Sequence, residues 1–532
     1  MPARIGLSRE CKPEEKSLFP SNPTPMQTNR AKICPRLKLS VAKLAPVVAA
    51  CAALAAVVPA RGVDYLWDGT GSWDLGSWRF NAGTVNWSSV TPLTQATAVF
   101  SGAGGNVAID AAIQLNGLRF STGNYSLNAG TDGSLEFLGV APQVTIADGV
   151  STTFNVGING GASDGTLIFN GKGTFVFGRS DLFDDFTAID LQGGTMNIQS
   201  YTDTVAGFTL SAGGTFTGDT GTLTADNYRL INGTVDGRLG AGTISVSGPV
   251  IVTANGHFDS SSALNVSGTL TLNSYQTVAA VKLTNGSISG GTLHGDSYAV
   301  ARGEISANLT GVGDLTKSTA GTVILSGVNN YTGATTISQG SLVLDGGSLV
   351  GSNAAAVTVS SGAIFAGYGT ASRAVVVSGT ISPGIGAGST RVGTLSTSSQ
   401  TWNGGGTYAW DIANVSGVAG TDWDLLKLNG GNLSINSIFN LKVIGLVAAG
   451  FDSTTSYGWL IAGDVLSYSG NLSSVAITGT PAVGSFSLDY RSSGVYLDYT
   501  PVPEPKDYAM ILGAITLGLV GYRRWRRTEQ LA

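Results

Sequence analysis

A small tripeptide, Gly-Thr followed by an aliphatic residue, constrains this chain more than any other feature. It stands at Gly165-Thr166-Leu167, Gly221-Thr222-Leu223, Gly242-Thr243-Ile244, Gly268-Thr269-Leu270 and Gly291-Thr292-Leu293, the last four beginning 21, 26 and 23 residues apart. The residues that follow alternate, as in Ile244-Ser245-Val246-Ser247 and Leu270-Thr271-Leu272-Asn273, and a period of two marks a strand buried on one face. A spacing in the low twenties fits a coil of three short strands with turns, the rung of a parallel β-solenoid. One rung cannot bury its inward Val, Leu and Ile alone, so stacked neighbours supply the core. Regular short strands also suit a β-sandwich, and the loose period keeps that alternative open.

Composition supports an all-β chain. Glycine accounts for 76 of 532 residues and charged residues for only 12%, both unlike an ordinary globular enzyme. Abundant Ser, Thr, Asn and Gly with little Glu and Lys favour short strands and tight turns. The formal charge of −5 hides an asymmetry: residues 1–61 carry ten Lys/Arg against three Asp/Glu, residues 506–532 five against two, and the body between them 14 against 29. A nucleic-acid partner would want a basic stripe, so this body excludes one. Cys11, Cys34 and Cys51 all precede residue 52. If the N-terminus is removed, disulfides and thiol chemistry go with it.

One stretch is sharper than the rest. Leu309 to Leu344 carries Gly311, Gly313, Leu315, Lys317, Gly321-Thr322 and Leu325, then Asn330-Tyr331-Thr332-Gly333, Thr335, Gly340 and Leu342. This resembles the autotransporter-associated β-strand repeat, which in that family forms rungs of a right-handed β-helix in secreted passenger regions. The glycines would allow φ > 0 at corners while alternate Leu and Val point inward. A true autotransporter ends in a membrane β-barrel of long amphipathic strands. This sequence has no such pattern at its end, so self-translocation is not expected.

The two ends read as export signals. Arg30, Lys32, Arg36, Lys38 and Lys43 precede the apolar run Leu44 to Val58, and Val58-Pro59-Ala60 offers small residues for cleavage. That is a secretory signal with a basic leader and a hydrophobic segment of about 15 residues, and its distance from Met1 leaves Met26 as an alternative start. At the other end, Val502-Pro503-Glu504-Pro505 leads into an uncharged run from Tyr508 to Tyr522, closed by Arg523, Arg524, Arg526 and Arg527. As a helix that run spans about 22 Å, short of the ~30 Å hydrocarbon core. Arginine snorkelling and an interfacial Trp525 would close part of the gap and make a single transmembrane helix, with the C-terminus cytoplasmic. The tripartite tail resembles the PEP-CTERM sorting signal, which in that family is recognised by an exosortase, a membrane protease-transferase. The resemblance implies Val502, Pro503, Glu504 and Pro505 as the sorting motif and the four arginines as the membrane stop. An exosortase-type enzyme, the inner membrane as transient anchor and exopolysaccharide are then the expected partners.

Aromatic residues cluster beside each end of the repeats. Tyr65, Trp67, Trp73, Trp78 and Trp87 read either as a carbohydrate-stacking face or, the reading preferred here, as a cap over the open end of a repeat stack. Trp402, Tyr408, Trp410, Trp423 and Trp459 read as a closing β region, with Ser487–Tyr490 and Val495–Tyr499 as its last hairpin. The expected organisation is a signal region at 1–61, an aromatic cap at 62–95, a β-solenoid at 96–400, a C-terminal β cap at 401–500 and the sorting signal at 501–532.

Chemistry-bearing residues are few. The histidines are His257 and His294, neither in a nucleophile motif, and both are expected as surface or turn residues. No zinc-type cluster or phosphate loop occurs. The acidic group Asp181, Asp184, Asp185 and Asp190 is the best enzymatic candidate, because β-helical lyases and glycosidases use clustered acids; it reads equally as a solvated turn. Asp110, Asp132, Asp148 and Asp164 follow glycine-rich turns without an EF-hand spacing. The expectation is therefore a non-enzymatic, exported structural or adhesive β-helix protein without cofactor or metal. A carbohydrate-active β-helix enzyme or carbohydrate-binding module is the alternative.

Overall fold

The computed structural model describes residues 63–67, 73, 77–80, 83–86, 93–160, 165–351, 355–385, 392–492, 494–502 and 505–529. The expected signal region 1–61 lies outside them, as do Trp87, Asp164, Pro503 and Glu504. Everything below concerns the unit that begins at Arg61.

That unit is a parallel β-solenoid, and the sandwich alternative falls. Three strands make a turn: Ala263–Val266, Thr269–Leu272 and Tyr275–Val278, then Ala280–Leu283, Ser287–Ser289 and Thr292–Gly295. Each pairs in parallel with its equivalent one turn on. The alternation read from the sequence is the reason. Leu264, Val281, Tyr298 and Leu315 lie in one register, and Leu270, Ile288, Ile305 and Leu325 in another, all essentially fully buried. Each such side chain contributes about 1.5–3 kcal/mol of burial, but only when the next rung covers it.

The spacing of the Gly-Thr tripeptide is not the length of a turn. A turn takes 17 residues where Val281 lies beside Tyr298 and 20 where Leu315 lies beside Thr335. The tripeptide opens a strand on whichever side comes up. Thr222 is on the third side, Thr243 on the first, Thr269 on the second and Thr292 again on the third. Successive copies thus advance by one turn plus one strand. In the 309–344 stretch, glycine serves two ends. Gly340 adopts a φ of 66°, whereas Gly333 keeps an ordinary backbone but runs so close to the rung below that a Cβ would meet Gly313 O at 2.3 Å.

The third side is interrupted. Its strands form separate sheets, Ala112–Leu115 to Gly157–Asn159, Tyr275–Val278 to Asn308–Thr310, and Val328–Asn329 onward. Single bridges stand between, Ile158 to Phe183 and Leu239 to Phe258. At each interruption a polar side chain from the following rung turns inward and takes the unpaired backbone N–H groups. Asp203 Oδ2 accepts from Leu182 at 2.8 Å and Phe183 at 3.1 Å. Gln276 Oε1 accepts from His257 at 2.9 Å and Phe258 at 3.2 Å, and Asn329 Oδ1 accepts from Leu309 at 3.1 Å. All three side chains are buried, where an unmatched amide would cost about 1–3 kcal/mol.

Both ends carry antiparallel pairing. Ser77–Phe80 and Gly83–Asn86 form a hairpin beside Val63–Leu66. At the other end the turns lengthen to 33 and then 35 residues, and the hairpin of Ser485–Arg491 with Gly494–Thr500 pairs with Tyr457–Gly463. A single α-helix among the described residues, α1 (Pro505–Glu529), follows. The transmembrane expectation for it is not borne out, since no helix among the described residues is long and apolar enough to cross a membrane. The physical reason is length: the uncharged run between Asp507 and Arg523 is shorter than the roughly 20 residues a spanning helix needs.

Candidate functional site

The tail presents its groups outward. Val502 is 63% exposed, Pro505 opens α1 where its missing N–H costs nothing, and Arg523, Arg524, Arg526 and Arg527 are all exposed. Arg526 lies over the Tyr522 ring at 5.7 Å, and Tyr522 packs with Trp525. Met510, Leu512 and Leu517 are 70%, 67% and 74% exposed, so the apolar residues of α1 face solvent on several sides of the helix. A helix apolar all round is otherwise found buried in a core or a lipid phase.

The acidic turn is held by local hydrogen bonds. Asp181 sits in the left-handed region with a φ of 50°, which Asp tolerates at a tight turn. Asp184 accepts the Thr187 hydroxyl, and its backbone N–H reaches Ile158 O at 3.1 Å. Asp190 takes Gln192 Nε2 at 2.7 Å and Ser211 Oγ at 3.1 Å. Asp185 is exposed. The residue that sequence reasoning missed is Asp203, 3% exposed beneath this turn. Burial pushes its carboxyl up to about 6, against the N–H groups of Phe183 and Leu182, with the Asp181 charge adding to the rise. Its Oδ1 has no hydrogen-bond partner among the described residues. Asp110, Asp132 and Asp148 are exposed, and no group of three metal-ligating side chains occurs among the described residues.

The histidines part company. His294 is half-buried, with Nδ1 at 3.4 Å from the Thr310 hydroxyl. His257, expected at the surface or in a turn, follows the turn at 255–256 and is only 6% exposed. Its Nε2 lies 4.0 Å from Asp236 Oδ1. Burial lowers its pKa, the Asp236 carboxylate opposing and Arg238 adding to the fall. Asp236 in turn accepts from Thr217 and Thr253.

The aromatic clusters close the stack. Trp67 and Trp73 are buried against Phe100, with ring centroids at 6.0 and 5.5 Å, so neither offers a face to a sugar. The column continues inward through Phe120, Phe154 and Phe175. At the far end Trp402 stacks on Phe439 at 4.5 Å, and Trp410 donates to Asp424 O at 2.8 Å and Trp459 to Val415 O at 3.0 Å.

Two buried cations meet the 309–344 stretch, Lys317 from within the repeat pattern and Arg373 from outside it. Lys317 occupies an inward position between Val300 and Ile337, and its Nζ reaches Thr319 O and Gln339 O. Arg373, from a later turn, donates to Gly333 O at 2.9 Å and to Tyr331 O, and lies 4.4 Å over the Tyr331 ring. Burial lowers the pKa of both. The Tyr331 hydroxyl meets Thr335 Oγ1 at 2.7 Å, so the polar residues of the repeat hold an irregular corner where strand pairing lapses.

The Passenger-associated-transport-repeat family matches residues 315–344. The chain is also similar to "Adhesin BmaC autotransporter" of Brucella suis biovar 1 (strain 1330), 28% identical over 271 residues. That match covers 46% of this chain and 8% of the relative's length, so the chain spans only a small part of that protein.

Proposed function

We propose that this chain is an exported, passenger-like β-solenoid that acts at the cell surface or in the extracellular matrix as a structural or adhesive protein. The observation that carries this reading is the stacked parallel coil with a passenger repeat at its middle and an adhesin among its relatives. The coil is taken as right-handed, the hand that parallel crossovers almost always have.

The role is non-enzymatic. Support comes from the acidic turn, where Asp203 and Asp184 are engaged in holding backbone and hydroxyl groups of the turn itself. Delivery runs through the tail: an exosortase-type enzyme at the inner membrane reads Val502 to Pro505 and holds the exposed apolar face of α1, which is too short to cross on its own. The mature body then associates with the envelope or with exopolysaccharide. Its acidic, dilute surface suits no nucleic acid.

Protease treatment of intact cells tests this. Exposure outside the cell releases fragments of residues 96–500 without lysis, and a deletion strain loses adherence to abiotic or cell surfaces. A full-length chain that intact cells protect from protease overturns the reading.

A further inference from the structure

Along the first side of the coil, the outward positions change character part-way. In the earlier turns they include Asp190, Arg229 and Lys282. From Ala299 onward the corresponding column is Thr316, Thr336, Thr358, Val376, Thr401 and Ser434, each the in-register neighbour of the last. No charge interrupts it, and every member is exposed or half-buried.

A second polar column runs beside the first. Ser378 N bonds to Val359 O at 2.8 Å, Asn403 N to Val377 O at 2.9 Å and Asn436 N to Trp402 O at 2.9 Å. Its side chains form a ladder, Asn436 Nδ2 to Asn403 Oδ1 at 3.0 Å and Asn403 Nδ2 to Ser378 Oγ at 3.2 Å, which fixes their direction. The result is a grid with a rise of about 4.8 Å between rungs and about 6.6 Å between columns. Hydroxyls and amides both donate and accept.

We infer that this grid is a binding face for a neutral, extended polysaccharide laid along the coil axis. The inference rests on the adhesive reading above and names its partner and its site. A polymer of sugar rings offers hydroxyls at a similar interval, and each rung then meets one ring with a donor and an acceptor. Charge selects the neutral class. The grid has no cation to pair with carboxylate or sulfate, and the body around it carries 29 acidic against 14 basic residues, which repels a polyanion. Many weak contacts in register give the affinity, since each hydrogen bond exchanged with water is worth little alone.

Affinity electrophoresis of the full-length protein through gels containing hydroxyethylcellulose, galactomannan or alginate tests the proposal. The wild-type chain is expected to be retarded by at least one neutral polymer and not by alginate. Thr336→Lys with Thr358→Lys abolishes the retardation, while Thr370→Lys on the third side leaves it unchanged. Val376 is the gap in the first column, so Val376→Thr strengthens binding roughly two- to tenfold, a gain that misfolding cannot produce. Retardation that the double variant keeps, or that Thr370→Lys loses equally, overturns the assignment to this face while leaving adhesion standing. No retardation by either neutral polymer, or retardation by alginate alone, overturns the proposal. Loss of surface exposure on intact cells is what removes the adhesive reading itself.

Discussion

Replacing Asp203 by Asn changes how stability depends on pH, and the sign follows from the burial of this one carboxyl. Its pKa rises from 3.8 to about 6 on folding, so the folded chain holds this proton more tightly than the unfolded chain. The stability it contributes is therefore full below pH 3.8 and is lost as pH rises through about 6. Two pKa units correspond to about 3 kcal/mol, and at 3% exposure little solvent screening reduces that figure. Asparagine keeps an oxygen that can accept from Leu182 and Phe183 but has no proton to lose. At pH 4 the variant and the wild-type chain melt together. At pH 7 the variant melts higher, by about 3 °C if several hundred residues unfold as a unit and by more if smaller blocks do. Scanning calorimetry of both proteins at intervals from pH 4 to 8 measures the difference. A difference that does not vary with pH, or that favours the wild-type chain as pH rises, refutes the argument.

The remaining predictions concern other joints. Arg373→Met leaves Tyr331 O and Gly333 O without their donor and lowers stability by about 2–4 kcal/mol in denaturant titration; Arg373→Lys recovers little, because a point charge cannot serve both carbonyls and stack on Tyr331. Gln276→Leu costs about 1–3 kcal/mol, seen as lost hydrogen-exchange protection at His257 and Phe258, with amides of distant turns unchanged. Glu504→Ala or Pro503→Ala leaves the C-terminus uncleaved, so mass spectrometry finds the tail still attached; processing indistinguishable from that of the wild-type chain contradicts recognition of the motif.

The coil was legible because its signal is local. Alternation in Ile244–Ser247 or Leu270–Asn273 depends on neighbours in sequence, and those strands form as read. The length of a turn was not legible, since the tripeptide marks strand starts without saying which of three sides it begins. Asp203, Gln276 and Asn329 were hidden for a related reason. Each is polar at an inward place because the rung before it breaks its pairing, and that break leaves no trace near the residue that answers it. The tail was read correctly as a helix and wrongly as a span, because arginine snorkelling was asked to make up for an uncharged run that is shorter than the hydrocarbon core.

The interrupted third side also governs how the molecule answers tension. Two sides hold together through many shared backbone bonds, but at three places the third loses its regular strand pairing and is held by Asp203, Gln276 or Asn329 with a few neighbouring bonds. A load applied along the axis concentrates at those stitches, and the coil parts there before it tears elsewhere. Each turn released pays out roughly 60 Å of extended chain, which lets a surface-attached molecule lengthen and absorb work under shear where a uniformly bonded rod would snap free.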